Sequence, residues 1–149
     1  MPGSPFVARI RAKTLVVAML LAAWPASATA PVLDTIWAGC TGGVTGGGSA
    51  ARMLADGRLV RLSQARAGAP WIIEDKGRDP VLYARLARAL DEGGFAKLRG
   101  GPPGPITCWL ERVWATGQGW RVQWAGTEPP ADWPEAVRGA FATLRGAGL

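Results

Sequence analysis

The stretch DPVLYARLARALDEGGF, residues 79–95, decides how the chain must be organised. Asp79 can accept hydrogen bonds from the free amides of a helix start, and Pro80 suits the first helical position, where no N–H is needed. Leu82, Leu86, Ala89 and Leu90 then recur on one face, with Arg85, Arg88 and Glu92 elsewhere, which predicts an amphipathic helix ending at Glu92. Gly93-Gly94 supplies a left-handed stop, and Phe95 and Leu98 are placed to fold back under the helix end. A helix with one apolar face needs a surface to bury it against, so the flanking segments should supply a sheet.

Downstream, Gly100-Gly101-Pro102-Pro103-Gly104-Pro105 is a loop by composition. A hairpin follows. Ile106, Cys108, Leu110 and Trp114 share one parity, opposed by Thr107, Trp109, Glu111 and Val113. Gly117-Gln118-Gly119 makes the turn, and Trp120, Val122 and Trp124 alternate with Arg121 and Gln123 on the return. A second helix closes the chain. Asp132 followed by Glu135 predicts a capping box, Val137, Ala140, Phe141 and Leu144 form its apolar stripe, and Gly146 ends it.

Upstream the pattern is weaker. Thr35 to Cys40 begins an extended run broken by Gly42, Gly43, Gly46, Gly47 and Gly48, which predicts a bulge or a close backbone approach. Asp56-Gly57 is a hairpin signal between Ala50–Ala55 and Arg58–Leu62. Residues 64–78 read as a connection whose apolar patch, Trp71-Ile72-Ile73, is a short strand or plug under the sheet, or an exposed recognition loop. The resulting order is ββαββα: an α+β domain with an antiparallel sheet and its helices on one face.

Residues 1–28 carry the three parts of a cleavable signal peptide. Arg9, Arg11 and Lys13 precede the apolar run Thr14–Trp24, Pro25 breaks it, and Ala26-Ser27-Ala28 offers a cleavage site. The run is about half the roughly 20 apolar residues that a membrane span needs. One domain, residues 29–149, is then expected in the periplasm or outside the cell. Trp37-Ala38-Gly39-Cys40 has the form of a lipoprotein site, but Asp34 and two prolines separate Cys40 from the apolar run, so a lipid anchor at Cys40 is not expected. Cys40 and Cys108 are the only cysteines, and in an oxidising compartment a disulfide is the simplest use of such a pair.

The net charge of +6 overstates the basicity, because three of the 17 basic residues and none of the 11 acidic ones lie in residues 1–28. Residues 29–149 therefore carry 14 − 11 = +3. Their arginines are dispersed rather than clustered, so no nucleic-acid partner is expected. The chain contains no histidine. Ser-His-Asp and Cys-His catalysis and histidine metal sites are thereby excluded. The carboxylates fall in different elements with no acid–base spacing. The tract Gly43–Ser49 has the glycines of a phosphate loop but lacks its lysine. The chain is thus expected to be non-enzymatic, without cofactor or metal.

Seven of the eight tryptophans lie in residues 29–149. They can build the core between the second hairpin and the last helix, or stand exposed as a contact patch. Trp71 and Trp109 are the candidate binding residues, Trp109 because its parity differs from that of Cys108 and Leu110.

Gly42-Gly43 after the first strand, Ala55-Asp56-Gly57, the Asp79–Glu92 helix ending in Gly93-Gly94-Phe95, and the late hairpin with its terminal helix together form a layout that resembles the emfourin family. These are small bacterial inhibitors of thermolysin-type metallopeptidases. The resemblance implies a protein-binding module whose partner is an exported metallopeptidase. Export, the cysteine pair and the tryptophan content depart from an inhibitor of a cytoplasmic partner, and no inhibitory residue maps onto a numbered position here. The alternative is an envelope structural or ligand-binding protein that uses exposed tryptophans on glycans or lipids.

Overall fold

The computed structural model describes residues 33–149; the expected signal peptide and the residues up to Val32 lie outside them. Six antiparallel strands form one sheet: β1 (Thr35–Gly42), β2 (Gly48–Leu54), β3 (Arg58–Gln64), β4 (Ile72–Arg78), β5 (Ile106–Val113) and β6 (Gly119–Ala125). Their spatial order is β4-β3-β2-β1-β5-β6. Helix α1 (Pro80–Glu92) leads from the β4 edge back to β5 beside β1, and helix α2 (Glu135–Ala147) ends the chain. No helix among the described residues is long and apolar enough to cross a membrane.

Four strands, not two, precede the first helix. Two features account for the difference. The glycine tract is a chain reversal rather than a bulge: Gly42 has φ +119°, its amide donates to the Gly47 carbonyl at 2.8 Å, and β2 then runs back along β1. That backbone conformation is open to glycine and strained for other residues. The second feature is β4, which forms from the second half of the expected 64–78 connection.

Helix α1 starts as its sequence predicts. The Asp79 carboxylate accepts from the Leu82 amide at 2.8 Å, and Pro80 occupies the first turn. At the other end Gly93 stays right-handed and Gly94 supplies the left-handed residue, φ +64°. The chain there turns Phe95 into the core through a short 3-10 segment, Phe95–Lys97. Helix α2 begins differently from expectation. Pro134 acts on Trp133, because the residue before a proline is pushed out of helical geometry. The helix therefore starts behind Pro134, whose carbonyl accepts from the Val137 amide at 3.0 Å, and no side chain caps it. Asp132 is left outside.

Both helices cover one face of the sheet. Ile36 and Ala38 of β1, Ala51 and Met53 of β2, and Leu110 and Val122 of the β5–β6 hairpin project into a single core. Leu82, Leu86 and Leu90 from α1 and Val137, Phe141 and Leu144 from α2 fill it from the other side. Trp124 stands edge-on to Trp133 (5.2 Å) and to Phe141 (4.9 Å), each contact adding about 0.5–1.5 kcal/mol beyond burial. The structural use of tryptophan thus holds for this pair.

Cys40 and Cys108 face each other in register across β1 and β5 and form a disulfide. It closes a separation of 68 residues, worth about 4 kcal/mol in the chain-entropy description. With its sulfur in this bridge, Cys40 offers no thiol for a lipid.

Candidate functional site

The face of the sheet that no helix covers among the described residues carries a layer of its own. Trp37, Arg52, Trp109, Glu111 and Arg121 share it, because they alternate with the core-facing residues of β1, β2, β5 and β6. Gly39 is the partner of Trp109 across β1–β5, and a Cβ at Gly39 would collide with the indole and with Ala50. Glycine there lets the ring lie down on the sheet. Trp37 meets it edge-on at 6.4 Å, and the Arg121 guanidinium sits over it at 4.7 Å while pairing with Glu111 at 3.3 Å. A cation over an indole face adds about 0.5–2 kcal/mol.

Trp109 is consequently only 5% exposed. Parity places it on the helix-free face, as its sequence position predicts, but neighbours roof it over. It packs within this face beneath Arg121 and is not a free stacking platform.

Elsewhere on the same face two shallow depressions run side by side. One, of about 430 Å³, is lined by Leu33, Trp37, Arg52, Leu54 and Val113. The other, of about 450 Å³, shares Arg52 and Leu54 and reaches Val60, Ile73 and Asp75 at the β4 edge. Trp71 lies on the same side: its Cη2 would be 3.1 Å from a Cβ on Gly48, which shares a face with Ala50 and Arg52. Trp71 is 39% exposed, and Ile72 and Ile73 are 65% and 69% exposed. The two candidate tryptophans thus share a face, one buried in it and one partly exposed.

The segment Trp71-Ile72-Ile73 is no plug. Ile72 and Ile73 open β4, every residue of which is exposed. β4 pairs with β3 alone, so its outer backbone edge meets no other strand among the described residues. Its register slips between Val60 and Arg58, where Lys76 and Gly77 together oppose Leu59. A bulge and the charges Glu74, Asp75 and Lys76 are devices that discourage indiscriminate pairing. They protect the second half of the strand only.

One buried polar cluster has no counterpart among the residues singled out from the sequence. Arg112 shares the parity of Cys108 and Leu110 and lies inside the core. It donates from Nε and Nη2 to the two Asp34 oxygens (3.3 and 3.1 Å) and from Nη1 to Asp91 (2.6 Å) and the Ala87 carbonyl (3.2 Å). Burial works against its charge, but the hydrogen bonds and charges of Asp34 and Asp91 outweigh that and hold the guanidinium above the ordinary arginine range. Burial, followed by the Asp34 carboxylate, likewise pushes the Tyr83 phenol well above its usual range. Neither group changes its proton near neutral pH. The cluster ties the start of β1, β5 and the end of α1 together. The available signal was a charged residue at a core parity position in a strand.

Among the described residues no group of three or more His, Cys, Asp or Glu is arranged to hold a metal ion. No protein-family model matches the chain, and no curated protein is significantly similar to it.

Proposed function

We propose that the chain is an exported, non-enzymatic protein-binding domain that works in the periplasm or outside the cell, in its sharpest form an emfourin-like inhibitor of an exported metallopeptidase. The observation that carries this reading is the exposed run Trp71-Ile72-Ile73 at the start of an edge strand, contiguous with the Arg52–Leu54 depressions. An extended segment of a partner can add to such an edge through backbone hydrogen bonds, with the neighbouring depressions taking its side chains. The Cys40–Cys108 bridge supports an oxidising address.

The test is a titration of a thermolysin-type peptidase with the oxidised protein, residues 29–149. Activity should fall and level near a one-to-one ratio, and Trp71→Ala should weaken inhibition by about thirtyfold or more, as expected of an interface anchor. A peptidase left fully active by an excess of the protein sinks the inhibitor reading.

A second reading, an envelope ligand-binding protein, draws on a different place. Trp114 and Trp120 line a cleft of about 670 Å³ at the tip of the β5–β6 hairpin, together with Thr116 and Gln118. Two indoles beside a hydroxyl and an amide suit a glycan ring. Tryptophan fluorescence that stays unchanged with every envelope fraction counts against this use.

A further inference from the structure

The helix-covered side carries a cationic cluster one strand in from β4 and away from the hairpin cleft. Arg145, in the last turn of α2, is half-buried and donates from Nη1 to the Ser49 carbonyl at 2.6 Å and the Ser49 hydroxyl at 3.0 Å. The end of α2 is pressed onto β2 at this point, since a Cβ on Gly148 would lie 2.6 Å from that of Ala51. On β3 the cross-strand partner of Ala51 is Arg61, and that of Ser49 is Ser63. Alternation places all of these on the helix side of the sheet, so Arg61, Ser63, Ser49 and Arg145 gather round the end of α2.

Among the described residues neither Arg61 nor Arg145 takes part in an ion pair. Glu74 stands across β3–β4 from Arg61, but its carboxylate pairs with Lys76 at 3.6 Å. The last carbonyls of α2 offset only about half a charge. Burial, and then repulsion from Arg61, hold Arg145 below the ordinary arginine range. Two guanidinium groups thus share a partly dehydrated place with no carboxylate paired to either, where a charge is costly unless a counter-charge meets it.

We infer that Arg61, Arg145, Ser49 and Ser63 form a binding site for a tetrahedral oxyanion of the phosphate class. Guanidinium forks match such an anion and outrank ammonium groups in doing so. The Ser49 hydroxyl accepts from Arg145, which leaves its own hydrogen free to donate to the anion. The site lies one strand in from β4, on the face opposite the Arg52–Leu54 depressions, and does not depend on the inhibitor reading.

The probe is inorganic phosphate, added to the oxidised protein and compared with chloride at equal ionic strength, with Tm as readout. Phosphate should raise the Tm of the natural protein by several degrees at concentrations well above the dissociation constant. Arg61→Gln should abolish that difference, and Arg61→Lys should keep part of it, because the charge stays and the fork is lost. An equal rise in the natural protein and in Arg61→Gln overturns the site, since general exclusion of phosphate from protein surfaces then explains it. A second arm settles the source of the phosphate. Binding to phosphatidylglycerol vesicles but not to phosphatidylcholine vesicles, lost in Arg61→Gln and without a response to free phosphate, assigns the anion to a lipid headgroup. Failure with both probes overturns the proposal.

Discussion

The outer strands β4 and β6 are each seven residues long and each pairs on one side only, yet they are built from opposite materials. β6 buries Val122 and Trp124 under the helices. Its free edge is hemmed by the loop before β5: the Gly101 amide donates to the Gln123 carbonyl at 2.7 Å, and Gly100 lies against the same residue. Every residue of β4 is exposed, and no other strand among the described residues pairs with its outer edge. An element that buries little contributes little to global stability and opens at small cost. The same exposure leaves its backbone groups available to a partner. The contacts that stabilise the fold are therefore concentrated on β6 and the helices rather than on β4.

Three substitutions bear on that contrast, in falling order of expected effect. Trp124→Ala empties the centre of the Trp133–Phe141 contact and should cost about 3–5 kcal/mol in a denaturant titration of the oxidised protein. A cost under about 1 kcal/mol, the size of an ordinary surface change, would mean that β6 is not where stability resides. Next comes Gly100→Ala. A Cβ there would stand 2.5 Å from the Gln123 carbonyl oxygen, so the loop or the strand must shift, at about 1–3 kcal/mol. An unaltered Tm would show that the hem on β6 is loose. The smallest effect is expected from Ile73→Ala on β4, within about 0.5 kcal/mol. Amide exchange of β4 should also outpace that of β6. A large loss of stability at Ile73, or slow exchange along β4, would show that something covers this edge and would erase the difference between the two.

How much of this was legible depended on whether each segment's burial followed from its own pattern. The Trp120–Trp124 alternation and the α1 and α2 stripes each name one buried face, and the structure uses those faces. Ile72–Arg78 has no alternation to read, because every one of its residues is exposed. The α2 start departs from expectation for a local reason: Pro134 overrides the Asp132–Glu135 signal by restricting Trp133. Of the candidate residues, Trp71 is partly exposed and Trp109 lies beneath a roof. Parity names the side of the sheet correctly for Trp109 but carries no information about what crosses over it.

Local pattern was enough to establish the two helices, the late hairpin, the α+β class and the pair of cysteines available for a bridge. Each rests on periodicity, capping chemistry or composition within a few neighbouring residues. Everything else came from distant segments meeting in space. β1 lies between β2 and β5, which brings Cys40 opposite Cys108 and Gly39 opposite Trp109. Arg112 finds Asp34 and Asp91 across 78 and 21 residues of chain, and Arg145 reaches Ser49 across 96. The physical reason is that burial and pairing of polar groups depend on which remote segments come together, whereas a strand's own pattern states only which of its faces is apolar.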